Sequence, residues 1–257
     1  MIHPTAIIAP SAKIAESVEI GPFSVIGPEV EIGEGTWVGP HVVINGATKI
    51  GKQNKIFQFA SVGEVSQDKK YAGERTFTEI GDRNVIREGV TIHRGTSQDR
   101  GITKIGNDNL FMAYVHIAHD CVIGNGNTFA NNAGIAGHVK IGDFVGISGF
   151  CGIHQFSHIG SHSFISHASI IIKDVPPYIL VVGGANATPC GINAEGLKRR
   201  GYSAAAITAL KRAYKLIYRQ GLRVPEAIEQ LREMEAAAPE VKLLTDFLAA
   251  SERGIIR

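Results

Sequence analysis

The 257-residue sequence is poor in tryptophan and cysteine, with one and three residues respectively. Cys121, Cys151 and Cys190 include no C-x-x-C pair, and an odd number argues against a disulfide framework. We therefore expect a reducing, cytoplasmic environment. The formal net charge of only +2 leaves no concentrated basic surface, so we expect no nucleic-acid partner.

Long apolar runs are also missing. Residues Met1–Pro4 carry no basic segment ahead of a hydrophobic run, as a signal peptide would. No stretch approaches the roughly 18 apolar residues that span a bilayer, so we expect a soluble protein without a transmembrane segment. Hydrophobic residues still make up 44% of the chain, which is enough for a sizeable core.

A repeat of six residues organises most of the sequence. An aliphatic or phenylalanine residue recurs at every sixth position over Ile2–Val62, again over Ile80–Ile92, and, after a shift by one residue, over Ile105–Ile171. Neither a helix nor a plain alternating strand has this period. We interpret each repeat as a short strand with one inward side chain. Three such strands make a triangular coil of eighteen residues, and stacked coils make a parallel β-helix.

Two breaks interrupt the repeat, near residues 64–79 and 95–103. The anchors that flank the first break, Val62 and Ile80, are eighteen residues apart, so we expect the break to occupy one coil. Insertions into a regular solenoid are natural places for function. In the first break Asp68 could accept sugar hydroxyls and Lys70 could offer a charge to a phosphate. A solvated surface loop is the alternative interpretation.

Beyond the repeat the composition changes to helix formers. We place an all-β solenoid domain at residues 1–188 and a small all-α domain at residues 189–257, too small to be expected to fold alone. Ser203 is a predicted helix N-cap, and Pro225 suits the first turn of the following helix. The segment Glu195–Arg200 is predicted to begin a helix whose basic face either binds an anion or is solvated.

Histidines gather in the repeat region. His116 and His119 fall within four residues, and Asp120 follows directly. Stepping by one coil brings His138 and His154 to the same edge, where we expect all these side chains to be exposed. Such a column could bind zinc, or it could perform acid–base chemistry. Asp120 favours the second, because a carboxylate can fix the tautomer of a neighbouring imidazole and raise its basicity.

Several motifs together resemble one family. They are the six-residue ladder and the segments V-S-Q-D-K-K-Y-A-G-E, I-R-E-G-V-T-I-H-R-G-T, V-H-I-A-H-D, A-G-H-V, I-H-Q-F, D-V-P-P-Y and N-A-E-G-L-K-R-R-G. Over essentially its whole length the chain resembles the bacterial acyl-[acyl-carrier-protein]–UDP-N-acetylglucosamine O-acyltransferases. The resemblance implies a left-handed parallel β-helix, an exception to the usual right-handed crossover, assembled as a homotrimer with active sites between subunits.

The activity that the resemblance implies is transfer of an (R)-3-hydroxyacyl chain from acyl carrier protein to the glucosamine 3-hydroxyl of UDP-N-acetylglucosamine, the first step of lipid A synthesis. His119 matches the general base, Asp120 the carboxylate that orients it, and Gly137 the backbone N–H that stabilises the oxyanion. Contacts with the nucleotide sugar and the acyl chain are implied for Asp68, Lys70, His116, His138, His154 and Gln155. Contacts near the nucleotide are implied for Asn193, Glu195, Arg199 and Arg200. No metal and no cofactor are implied.

The chain departs from the family pattern at two places. His167 occupies the position that the family uses as a ruler for the acyl chain. A bulky polar side chain there should shorten the groove, so we predict a donor at the shorter end of the family's range. Asn186 stands where histidine is common, near one extra residue at Gly183–Gly184. The basic residues of the tail could steer an acidic carrier protein or form a solvated helix face: Lys198, Lys211, Arg212 and Lys215.

Three alternatives to O-acyl transfer stay open from the residues. An N-acyltransferase acting on a 3-amino sugar would share the fold. A γ-type carbonic anhydrase is also a trimeric left-handed β-helix with histidines between its subunits, but it needs three zinc ligands. A purely structural solenoid would not explain the clustered histidines and the inserted loop.

Overall fold

The computed structural model describes residues 1–257. Three sheets of parallel strands form a solenoid. The strands as far as Ile171 belong to the first, second and third sheet in turn, while the last two strands both extend the third sheet. The strands of the first sheet are β1 Ile7–Ile8, β4 Val25–Ile26, β7 Val43–Ile44, β10 Ser61–Glu64, β13 Thr91–His93, β16 His116–Ile117, β19 Gly134–Ile135, β22 Gly152–Ile153 and β25 Ile170–Ile171. Those of the second sheet are β2 Lys13–Ile14, β5 Val30–Ile32, β8 Ala47–Ile50, β11 Phe77–Ile80, β14 Ile102–Ile105, β17 Val122–Ile123, β20 Lys140–Ile141 and β23 His158–Ile159.

The third sheet closes the triangle and continues furthest along the chain. Its strands are β3 Glu19–Ile20, β6 Trp37–Val38, β9 Lys55–Ile56, β12 Val85–Ile86, β15 Leu110–Phe111, β18 Thr128–Phe129, β21 Gly146–Ile147, β24 Phe164–Ile165, β26 Ile179–Val182 and β27 Thr188–Ile192. We call the edge between the first and second sheets the first edge, that between the second and third sheets the second edge, and that between the third and first sheets the third edge.

The six-residue repeat marks the inward-facing position of each strand. Ile117 pairs in register with Ile135 and Ile135 with Ile153, one coil apart each time, and all three side chains are buried. Equivalent anchors therefore stack on one another along the axis, at the spacing of about 4.8 Å that separates neighbouring strands. The expected left-handed parallel β-helix with a helical tail is confirmed.

The first break does not occupy one coil, so that expectation was wrong. Val62 lies in the first sheet and Ile80 in the second, on successive sides of one coil. Val62 pairs with Ile92, thirty residues later, and Ile92 pairs with Ile117, twenty-five residues later. Both insertions leave the solenoid at the first edge. We call them the first inserted loop (residues 65–76) and the second inserted loop (residues 94–101).

The helical tail packs onto the end of the solenoid and shares its hydrophobic core. Strand β27 pairs antiparallel with β26 and crosses the domain boundary that we placed at residue 188. As predicted, Ser203 caps a helix, because its Oγ accepts the Ala206 N–H at 3.0 Å. None of the helices combines the length and hydropathy that crossing a bilayer requires. The helices are α1 Ala194–Arg199, α2 Ala204–Arg219, α3 Val224–Glu235 and α4 Lys242–Ala250, with a 3-10 turn at Pro239–Val241.

Candidate active site

The central pair of the site is His119 and Asp120, at the first edge between β16 and β17. Oδ2 of Asp120 lies 2.9 Å from Nδ1 of His119. Asp120 has a left-handed backbone (φ 58°), a conformation that aspartate tolerates better than most residues. Its carboxylate is completely buried, so our expectation of an exposed side chain was wrong for Asp120.

The second inserted loop buries Asp120 and satisfies its oxygens. The Thr96 N–H lies 3.1 and 3.0 Å from the two carboxylate oxygens, and the Thr96 hydroxyl donates to Oδ2 at 2.7 Å. Burial alone would raise the pKa of Asp120, but the hydrogen bonds from His119 and Thr96 outweigh it and hold the pKa below its usual value. Asp120 is therefore an anion at neutral pH, and its carboxylate is available to accept a hydrogen bond from Nδ1 of His119.

His138 follows one coil further along the first edge. Its ring is perpendicular to that of His119, with centroids 4.8 Å apart, and stacks on Phe156 at 4.3 Å. Nδ1 of His138 lies 2.8 Å from Oδ2 of Asp99 in the second inserted loop. His154 shares the edge but not this stack. Its Nδ1 approaches the carbonyl oxygen of its own neighbour Gln155 at 3.0 Å.

Gly137 is the equivalent of His119 in the next coil. A β-carbon at Gly137 would lie 2.6 Å from Nε2 of His119, so only glycine leaves room for the imidazole. The Gly137 N–H has no hydrogen-bond partner within the chain. The ladder does not need an N–H at this position, because Pro10 and Pro28 stand there in earlier coils. Gly137 thus offers a free donor beside His119.

Two further histidines, His116 in the same coil as His119 and His93 one coil earlier, are neutral at neutral pH. Nδ1 of His116 is 2.7 Å from the Thr91 hydroxyl, and the rings of His116 and His93 are 5.0 Å apart. Burial, followed by the neighbouring His116, lowers the pKa of His93 to about 4. Burial likewise lowers the pKa of His116. At neutral pH these rings offer hydrogen bonds and no charge. The sequence analysis missed His93 as part of the site.

Two clefts flank the first edge. The cleft on the first-sheet side has a volume of about 500 Å³, and His116, His119, Gly137 and His154 line it. Its floor is smooth and apolar because the outward positions of successive strands are glycines and then an isoleucine, Gly134, Gly152 and Ile170.

The cleft on the second-sheet side is larger, about 670 Å³, and mainly polar. Asp68 lines both clefts, and its Oδ2 lies 3.9 Å from Nε2 of His119. The candidate residues that line the polar cleft are Asp68, Lys70, His138 and Gln155. The first edge thus separates an apolar cleft from a polar cleft, and His119 lies beside Asp68, the residue that lines both.

The four candidates of the helical tail lie at a different edge. Asn193 caps α1 by accepting the Gly196 N–H, and its Nδ2 donates to the His162 carbonyl at 3.0 Å. The Arg200 guanidinium lies 4.9 Å from the centre of the Phe144 ring. His162 and Phe144 both belong to the second edge. Within one chain the structure therefore does not bring this set to His119: Asn193, Glu195, Arg199 and Arg200.

His167 lies at the third edge, where its exposed ring meets Phe150 edge-on at 5.7 Å. Predicted site residues thus occupy all three edges. Besides His93, the sequence analysis missed Thr96 and Asp99, which contact Asp120 and His138. The available signal was a polar loop, G-T-S-Q-D-R-G, inserted one coil before the histidines.

His119, Asp120 and His138 place potential metal-ligand atoms within 4.8 Å of one another. The Asp120 carboxylate and the Nδ1 atoms of both histidines are already engaged in hydrogen bonds, however. Both oxygens of Asp120 accept from Thr96, Oδ2 also meets Nδ1 of His119, and Nδ1 of His138 faces Asp99. Such paired donors and acceptors suit proton transfer better than the tetrahedral ligand set of zinc.

Comparison with known proteins agrees with this arrangement. The family model for domain 2 of UDP-N-acetylglucosamine O-acyltransferase matches residues 174–256, and the bacterial transferase hexapeptide model matches residues 102–137. The acyl-[acyl-carrier-protein]–UDP-N-acetylglucosamine O-acyltransferase of Thiobacillus denitrificans is 57% identical, covering 100% of this chain and 99% of its own. That of a Janthinobacterium species is 55% identical with the same coverage.

Solved structures of such enzymes superpose closely. The UDP-N-acetylglucosamine O-acyltransferase of Moraxella catarrhalis is 52% identical, with a TM-score of 0.98 over 100% of this chain and 99% of that chain. The Francisella novicida enzyme is 47% identical, with a TM-score of 0.97 over 100% of this chain and 94% of that chain. With relatives this similar over its full length, the chain belongs to the acyl-[acyl-carrier-protein]–UDP-N-acetylglucosamine O-acyltransferase family.

Proposed function

We propose that this protein transfers an (R)-3-hydroxyacyl chain from acyl carrier protein to the glucosamine 3-hydroxyl of UDP-N-acetylglucosamine, with His119 as general base. The observation that carries the proposal is the contact of Nδ1 of His119 with the buried Asp120, next to the free N–H of Gly137. Acyl transfer to a hydroxyl needs a general base to deprotonate the hydroxyl and a hydrogen-bond donor to stabilise the oxyanion, and these two groups lie side by side here.

The reaction runs in two proton-balanced steps. Because the Nδ1–H of His119 donates to Asp120, Nε2 is left as an acceptor and takes the proton of the sugar 3-hydroxyl. The hydroxyl oxygen attacks the thioester carbonyl, and the Gly137 N–H stabilises the oxyanion. The carbon–sulfur bond then breaks, and protonated His119 returns its proton to the departing thiolate. Ester, carrier thiol and neutral His119 result.

The two clefts supply the two substrate sites. The smooth floor over Gly134 and Gly152 suits a hydrocarbon chain, which has no polar group to satisfy. The polar cleft suits the sugar nucleotide: Lys70 is available for a phosphate, and Asp68, His138 and Gln155 for sugar hydroxyls. His116 and His154 lie on the apolar side, next to the position of the reacting carbonyl.

We propose a homotrimer with active sites between subunits. Asn193, Glu195, Arg199 and Arg200 lie at the second edge, so a second copy is needed to bring them to the first edge of its neighbour. Exposed aromatic rings on the third edge support association there, because aromatic patches usually mark interfaces. They are Phe23, Phe59, Tyr114 and Phe150.

Subunit mixing tests the shared site. H119A and R200A trimers should each be inactive. Trimers refolded from the mixture should regain activity, because at some interfaces an R200A chain supplies an intact His119 and an H119A chain supplies an intact Arg200. Mixtures no more active than the separate variants would show that each chain carries a complete site.

The reaction itself is tested by acyl transfer from 3-hydroxyacyl carrier protein to UDP-N-acetylglucosamine. H119A should lower kcat by about 10²–10⁴-fold, the usual contribution of a general base. A rate within a few-fold of wild type would remove His119 from this role. A faster reaction with the 3-amino analogue of the sugar would identify an N-acyltransferase instead, and stoichiometric zinc with bicarbonate activity would identify a carbonic anhydrase.

The partner and the compartment follow from the same proposal. Exposed lysine and arginine side chains on the tail offer an acidic carrier protein a complementary surface: Lys198, Lys211, Arg212 and Lys215. The three cysteines are free thiols, which agrees with a reducing cytoplasm, where the first step of lipid A synthesis would take place.

A further inference from the structure

The second inserted loop contacts His138 directly and contacts His119 through its partner Asp120. It leaves the first edge after β13 and returns at β14, one coil before His119. Thr96, near its start, contacts Asp120, while Asp99, near its tip, contacts His138. Arg100, which follows Asp99, donates to the backbone carbonyl of Asp120 at 3.1 Å. No other loop of the chain touches both parts of the site in this way.

Thr96 determines where the Asp120 carboxylate lies. The hydroxyl at 2.7 Å and the N–H at 3.0 Å both bind Oδ2, the oxygen that meets His119. Since Asp120 is completely buried, it has no water to replace these donors. Without the hydroxyl, the carboxylate would lose a short hydrogen bond and with it part of the restraint that holds it against Nδ1 of His119.

Asp99 acts on His138 as Asp120 acts on His119. Its carboxylate accepts from Nδ1 at 2.8 Å, so the proton lies on Nδ1 and Nε2 is free to accept a hydrogen bond from a ligand. The stack on Phe156 fixes the plane of the ring, but a stack does not select between the tautomers. That selection comes from Asp99.

The first inserted loop holds the second one in place. Oε1 of Glu74 accepts the Ser97 N–H at 3.1 Å and the Ser97 hydroxyl at 3.0 Å. Its own backbone N–H, with those of Ser97 and Ala72, lowers the pKa of Glu74 to about 2. Glu74 therefore stays ionised throughout the neutral range, and its contacts with Ser97 anchor the second inserted loop between Thr96 and Asp99.

We propose that the second inserted loop is the positioning element of the active site, in which Thr96 orients His119 through Asp120 and Asp99 fixes the tautomer of His138. Neither residue takes part in the proton transfer. The kinetic part of this inference rests on the proposed acyl transfer, whereas the tautomer of His138 is a property of the ligand-free protein.

Kinetics test the role of Thr96. T96V keeps the shape and the N–H but removes the hydroxyl, so kcat should fall about tenfold with KM nearly unchanged. The acidic limb of the kcat profile should move to lower pH, because a carboxylate held less firmly against Nδ1 stabilises protonated His119 less. T96S should restore wild-type behaviour because it retains the hydroxyl. T208V, which removes a hydroxyl from the exposed face of α2, serves as the matched control. An unchanged pH profile in a folded T96V trimer would overturn the role of Thr96.

Nitrogen NMR of ¹⁵N-histidine protein tests the role of Asp99 without substrate. In the wild type, the His138 signals should show a protonated Nδ1 and a bare Nε2, and in D99A they should show a mixture of tautomers. H138Q identifies the signals, and D108A, which removes an exposed aspartate paired with Arg83, is the control. An unchanged tautomer in D99A would overturn the role of Asp99. If wild-type protein transfers no acyl group at all, the proposed function fails, but this measurement still decides the positioning.

Discussion

A β-carbon on Gly137 would lie 2.6 Å from Nε2 of His119. The imidazole therefore sits directly over a residue without a side chain, in the coil that follows. Since the Gly137 N–H is also unpaired, the same residue provides both the space for the base and a donor for the oxyanion.

Substitution of Gly137 by alanine should therefore abolish most of the activity without unfolding the protein. The new methyl group would displace the His119 ring from the reacting hydroxyl, and we expect kcat to fall at least about 10²-fold. Initial rates and the thermal unfolding midpoint should be measured together. G184A is the matched control, because the nearest atom there is 3.8 Å from an added β-carbon. Near-normal rates in G137A would contradict the geometry.

Replacement of Asp120 by asparagine tests the charge of the pair. An amide can donate to Nδ1 of His119, which would move the imidazole proton to Nε2 and block the acceptor site. We expect kcat to fall by about 10²–10⁴-fold with little change in KM. Steady-state kinetics at several pH values measure this effect. A variant that recovered full activity at alkaline pH would argue against a tautomer effect.

His167 should limit the length of the acyl chain. H167G should shift the preference towards longer 3-hydroxyacyl donors, because a bulky ring is removed from the position that the family uses as a ruler. Competition between carrier proteins loaded with different chains measures the preference. H3G, at the opposite end of the solenoid, should leave it unchanged. If the wild type already prefers the longest acyl donor in this competition, His167 does not limit the length of the acyl chain.

Stability should fall as the pH drops from about 6.5 to 4. Burial, followed by its neighbour His116, lowers the pKa of His93 to about 4, and burial, followed by Arg200, does the same for His162. Because both groups titrate near 6.5 when unfolded, the unfolded chain binds more protons than the folded chain within this window. The free energy of unfolding should therefore decrease by at most about 1.4 kcal/mol per pH unit for each histidine.

Urea unfolding at pH 4.5, 5.5 and 6.5 measures this slope. H162F retains the aromatic stack with Phe144 and Tyr178 but removes the titrating group, so its slope should be smaller by about one proton. Equal slopes for wild type and H162F would show that His162 binds its proton equally well in both states.

The six-residue period was enough to predict the solenoid, because one inward side chain per short strand leaves few other geometries. From the spacing alone, the first break was wrongly predicted to occupy a whole coil. Val62 and Ile80 are separated by the length of a coil, yet the intervening residues form a loop within a single coil. A count of residues does not distinguish two absent strands from a loop of the same length.

The site was predictable only in part, for a related reason. Stepping by one coil placed His119 and His138 together, since they lie on the regular framework. The burial of Asp120 was not predictable, because it depends on Thr96, twenty-four residues earlier in an irregular loop. The separation of Arg200 from His119 follows from the path of the tail, which carries no repeat to count.

Both inserted loops leave the solenoid at the same edge in neighbouring coils, and the anchors on either side stay paired, Val62 with Ile92 and Ile92 with Ile117. Each coil rests only on the coils next to it, so the length of these loops is not constrained by the core. The loops that position the histidines can therefore be exchanged between related solenoids without changing the regular coils, which carry His119, Asp120 and Gly137 themselves.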